Sequence, residues 1–230
     1  MSRSGTGMRI RREEGIALVM VVMTNILLLA LGGALVTLTM TEARIATHYR
    51  DSVEVFYAAD GVMEHVVSEM RTVMDVDALL DGSIASAFVD GPREGVRTVG
   101  HSTLELAALT NFERCGSPGP CDDAAMDAIS EERPWGANNP RWQLYAYGSW
   151  ADLIGTAASG PHVYVVAWVG DDPGENDSDP LRDGPEGAAG HGAIALRVHA
   201  YGANGERRAI DAVMTGVPGS PRVTAWTERR

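Results

Sequence analysis

From Ile16 to Met40 the chain carries no charged residue. As a helix this run is roughly 37 Å long, enough to cross the hydrocarbon core of a bilayer with some tilt. A secretory signal peptide has a shorter apolar region followed by a small-residue cleavage site, so the run reads as a span that is kept. Arg3, Arg9, Arg11 and Arg12 precede it. Basic residues stay on the cytoplasmic side, so the expected topology is a single pass with the N-terminus in the cytoplasm and the bulk of the chain on the far side. The remainder of the 230 residues suffices for one globular domain.

The helical pattern continues past Met40 without a proline until well beyond Val73. Val53, Phe56, Tyr57, Met63, Val67, Met70 and Met74 recur at helical spacings, which predicts one apolar stripe. Glu42, Arg44, Arg50, Asp51, Glu54, Glu64 and Glu69 supply the polar face. One continuous helix is therefore expected from Ile16 to about Val73, on the order of 85 Å long, apolar all round in its first half and amphipathic in its second. Asp60 falls within the apolar stripe and is expected to bind a loop backbone or a neighbouring subunit. Gly32-Gly33 would permit close helix approach or local melting. Thr24 and Asn25 would hydrogen-bond either across helices or to their own backbone.

Several features of this region resemble the type IV pilins, and the PilX-type minor pilins in particular. They are a basic leader, Gly15 immediately before the apolar run, and a spine that turns amphipathic. More specific are His48-Tyr49-Arg50-Asp51 and Val55-Phe56-Tyr57-Ala58-Ala59-Asp60, which are similar to that family's Asn-x-Arg-Asp and Ala-Phe-x-Ala-Ala-Glu segments. The similarity covers about the first third of the chain and singles out Arg50, Asp51, Phe56, Ala58, Ala59 and Asp60.

The resemblance implies a prepilin peptidase that cuts between Gly15 and Ile16. The retained helix would then leave the bilayer by packing against equivalent helices in a filament. It implies other pilins, the membrane and a tip adhesin as partners, with cell adhesion and twitching motility as the cellular context. It also implies passage from the inner membrane to the extracellular pilus. One departure is Met20, fifth after the implied cut, where most major pilins carry glutamate. Certain minor pilins and the K-type minor pseudopilin of type II secretion also lack it, so Met20 argues for a low-copy place at the tip or in initiation.

The soluble part shows β signals in its second half. "RWQLYAYGSW" and "HVYVVAWVG" read as strands, with Trp142, Leu144 and Ala146 on one face and Tyr145 and Tyr147 on the other. "GAIALRVHAYG" and "RRAIDAVMTGV" flank Asn204-Gly205, a hairpin signal. "PGSPRVTAWTERR" is a flexible tail or an edge strand. "VRTVGHSTLELAAL" predicts a strand around 95–109, and "DDAAMDAISEERPW" a short helix capped by Asp122 or Asp123 and stopped by Pro134. The expected fold is α+β and pilin-like: a long N-terminal helix packed on an antiparallel sheet of about four strands. Its parts are a leader (1–15), a membrane or filament-core helix (16–40), an amphipathic continuation (41–74) and a periplasmic globular domain (75–230).

Cys115 and Cys121 are the only cysteines. Their spacing around Gly-Ser-Pro-Gly-Pro suits a small-loop disulfide in an oxidising compartment; two free thiols are the other reading. The loop from 170 to 192 offers Asp171, Asp172, Asn176, Asp177, Asp179 and Asp183, oxygen donors of the kind calcium takes; the other reading is a solvated acidic loop. No other cofactor is indicated. The net charge of -12 and the lack of a basic stripe give no footprint for nucleic acid. The histidines (His48, His65, His101, His162, His191 and His199) form no catalytic motif with Ser, Cys or Asp, so no enzyme is expected. A pilus minor pilin is thus the first reading, a type II secretion pseudopilin the second, and a membrane-anchored periplasmic enzyme or binding protein the alternative from another class.

Overall fold

A computed structural model describes residues 10–131, 140–156, 162–174 and 179–229. The chain divides into two compact units, Met1–Arg50 and Asp51–Arg230. The first unit holds the N-terminal part of helix α1 (Ile10–Met70), whose apolar residues between Ile16 and Met40 find no partner within the unit.

The second unit is α+β. The rest of α1 is followed by α2 (Val76–Leu80), whose first turn is capped by Asp75 accepting from the Ala78 N–H at 3.0 Å. A small hairpin of β1 (Val96–Val99) and β2 (Ser102–Glu105) leads into α3 (Leu106–Cys115) and α4 (Asp123–Glu131). Then come β3 (Gln143–Ser149), α5 (Trp150–Leu153), β4 (Val163–Asp171), β5 (Ala193–Gly202), β6 (Arg207–Thr215) and β7 (Arg222–Arg229). The last five strands form one sheet in the order β3-β4-β5-β6-β7, every pair antiparallel.

Strand β4 is buried along its whole length, so both faces of the sheet are covered. One face presents Val163, Val165, Ala167, Ile194, Leu196, Ile210 and Met214 to Val55, Ala58, Ala59, Val62, Val66 and Met70 of α1. The other presents Tyr164, Val166 and Trp168 to Leu104 and Leu106, with the Trp168 indole donating to Thr110 Oγ1 at 3.0 Å. The long helix on an antiparallel sheet is therefore as the sequence predicts. The second layer, α3 with the β1–β2 hairpin, is additional.

Four local expectations are corrected. The predicted strand at 95–109 is a hairpin turning at Gly100 (φ 57°) and then a helix, because the left-handed glycine ends the alternation. The sheet has five strands, since 222–229 pairs with β6 as an edge strand. In β3 a bulge between Leu144 and Ala146 places Ala146 with Tyr145 in the cluster under α1, while Leu144 joins Trp142 and Tyr147 on the opposite face. The stripe of α1 also runs differently: Tyr57 is exposed, Met74 lies beyond the end of the helix and is exposed, and Val55, Val62 and Val66 are buried members. Asp122 caps α4 through the Ala125 N–H, as expected; Pro134 lies outside the described residues.

Candidate functional site

The apolar run is helical throughout and exposed. It contains an 18-residue window of mean hydropathy 2.4, none of it buried. The hydroxyls in the run do not spoil this surface. Thr24 donates to the Met20 carbonyl at 2.8 Å, Thr37 to Ala34, and Thr39 to Leu35 and Val36, so each is satisfied by its own helix. Gly32 and Gly33 keep helical geometry, and an added Cβ at either would meet nothing within 4 Å. They form a notch where another backbone can approach closely. Gly15 and Ile16 lie side by side within α1, both exposed, and Met20 is exposed on the same helix.

The residues of the second segment serve packing in the second unit. The Asp51 carboxylate accepts from Asn204 Nδ2 in the β5–β6 turn at 3.1 Å. Next to it, Ser52 Oγ accepts from the Arg208 guanidinium, whose Nη1 also reaches Glu228 at 2.9 Å. Sequence reasoning placed Asn204 in a turn but missed its contact with Asp51, and missed Ser52 and Arg208, because partners more than 150 residues apart leave no local pattern. Phe56 is half-buried and stacks edge-on against Trp226 at 6.2 Å. Ala58 and Ala59 are fully buried, and their small side chains let α1 lie close on the sheet. Asp60 is half-buried; among the described residues its carboxylate has no hydrogen-bond partner, and no loop backbone reaches it. Arg50 is exposed.

The other predicted sites fall as follows. Cys115 and Cys121 form the disulfide, with Cα atoms 5.9 Å apart. In the acidic loop, Asn176 and Asp177 lie outside the described residues. Asp171 is buried and accepts from the Asp172 N–H; Asp172 accepts from Gly174, and Asp179 from Leu181. Asp183 accepts from Gly192 at 2.7 Å and pairs with His191 at 2.9 Å. These carboxylates thus shape the loop's own turns, and no group of three metal-binding side chains forms among the described residues.

The histidines are scattered. His65 sits 3.4 Å from Glu69, while His101 and His162 are exposed. His199 is fully buried beside Tyr201 and Glu113. Burial, then the positive charges of Arg207, Arg197 and Arg229, hold its pKa down to about 2, so it stays a neutral packing residue.

Residues 14–64 match the family model described as PilX N-terminal. The N-terminal region is thus similar to that of the PilX-like type IV minor pilins. The match contains Gly15 and Ile16, the whole apolar run, and the Arg50–Asp60 segment. Searches of curated proteins and of solved structures returned no match. Family and helix together fit a membrane-anchored protein and a structural pilin rather than an enzyme.

Proposed function

We propose that the chain is a low-copy minor pilin that acts at the tip of a type IV pilus or in its initiation. Prepilin peptidase removes residues 1–15, and Ile16 becomes the new N-terminus. The helix from Ile16 to Met40 is held in the inner membrane with the globular domain in the periplasm. It leaves the lipid by exchanging it for the apolar helices of neighbouring pilins. An all-apolar surface is equally stable in either setting, so the transfer needs no new polar contact. The globular domain then contributes through protein contact, without catalysis.

The observation that carries this reading is the unburied, charge-free helix of residues 16–40 inside the matched PilX N-terminal region. Met20 supports the low-copy place: it offers no carboxylate to the N-terminal amine of an adjacent subunit, so the chain lacks one ion pair that a bulk subunit would use. Filaments sheared from the producing cells supply the test. The chain should be found in them at a small fraction of the major subunit, and deletion should reduce piliation. Confinement to the inner-membrane fraction of piliated cells would contradict the proposal. Intact piliation with loss of type II secretion on deletion would assign it to a pseudopilus instead.

A further inference from the structure

The last turn of α3, Ile129 of α4, Trp142 just before β3, Arg197 of β5 and Arg229 of β7 border a cleft of about 470 Å³. Phe112, Ile129 and Trp142 give it an apolar and aromatic lining, and the Arg197 guanidinium lies 4.3 Å from the centroid of the Trp142 ring.

Among the described residues its charges do not balance. Arg197 donates to Glu113 at 2.6 Å and to Asp211 at 2.8 and 2.9 Å. Those same two carboxylates are approached by Arg229 at 3.8 and 3.7 Å, and Glu113 by Arg207 at 3.8 Å. Three guanidiniums therefore share two carboxylates. Arg114, which also lines the cleft, has neither. Its donors go to neutral acceptors, the Trp142 carbonyl at 2.7 Å and Gln143 Oε1 at 2.8 Å. Asp123 attracts it but forms no ion pair with it among the described residues. Arg141, which repels Arg114, is paired with Asp127 and leaves its buried Nη1 without an acceptor among the described residues.

A half-buried guanidinium with no ion pair among the described residues is unfavourable, and its planar fork matches a carboxylate. The lining and size of the cleft suit an organic body more than a bare ion. The net charge of the chain is -12, so this cationic spot runs against the overall charge. We infer that the cleft binds a carboxylate carried on an apolar or aromatic body, with Arg114 and Arg229 as the residues that hold the anion. This site is independent of the N-terminal helix and goes beyond the pilin reading.

Equilibrium dialysis of the full chain in uncharged detergent, with radiolabelled benzoate as the probe, tests it. Benzoate should bind saturably at one site, and both uncharged benzamide and inorganic phosphate should bind more weakly. Arg114→Gln and Arg229→Gln should each weaken benzoate by about tenfold, the loss of one charge-assisted contact. Arg229 is half-exposed, so its variant remains informative even where Arg114→Gln disturbs folding. Absence of saturable benzoate binding overturns the inference. So does benzamide or phosphate binding as tightly as benzoate, or wild-type affinity in Arg229→Gln.

Discussion

At position 61 a hydrogen atom stands where any larger residue would need a carbon, and the ring of Trp150 occupies the space that carbon would take. Two opposed effects meet there. Alanine gains about 1 kcal/mol of helix propensity over glycine, while overpacking against a packed ring costs about 1–3 kcal/mol. Overpacking should win, so Gly61→Ala is expected to destabilise the second unit in urea unfolding of the full chain in detergent. The sign should reverse in a Trp150→Ala background, where only the propensity gain is left. His199 gives a second prediction. Its folded pKa, about 2, lies below the ordinary value of 6.5. The unfolded chain therefore takes up a proton first, and the stabilisation present above pH 6.5 is lost as pH falls toward 2. The slope attributable to this one group is at most about 1.4 kcal/mol per pH unit. Unfolding measured from about pH 7 to about pH 4 should show a shallower acid limb in His199→Gln than in the wild type. Neither residue is legible in the sequence. Gly61 and Trp150 are brought together by the fold, and a histidine in a strand looks the same whether its neighbours are water or guanidiniums.

For the elements, periodicity is a better guide to type than to phase. The helix α1 and the pairing of β4, β5 and β6 follow from patterns that persist over many residues. The largest side chains of α1, Tyr57 among them, suggest one stripe, yet the face that packs is centred on Val55, Ala59, Val62 and Val66. Small residues carry little hydrophobic signal, but they set how close helix and sheet can come. Ala59→Leu should therefore lower stability by about 1–3 kcal/mol through overpacking, read from the shift in urea midpoint. Tyr57→Leu, at an exposed site, should leave the midpoint nearly unchanged. The bulge in β3 and the glycine turn between β1 and β2 are not legible for a related reason. Each interrupts a two-residue alternation for one position only, which a short window cannot separate from noise.

In the whole molecule, one apolar run and one sheet-forming half account for most of what can be read in advance. The structure adds a boundary between units at Arg50 and Asp51, within the matched family region. The first unit leaves its apolar surface uncovered, whereas the second completes its own cores on both faces of the sheet. The layer made by α3 and the small hairpin is hidden in the sequence, because its helix begins directly after a strand without a polar cap: Glu105 makes no capping hydrogen bond. The cleft charges are not legible either, since Arg114, Arg197 and Arg229 lie far apart in the sequence.

The central claim is that the apolar helix is released by a cut and then kept. The N-terminal mass of the protein isolated from its own cells, with and without prepilin peptidase, tests this most directly. A start at Ile16 that depends on the peptidase is the predicted result. An intact Met1 in peptidase-positive cells, or a start beyond Met40, would contradict it.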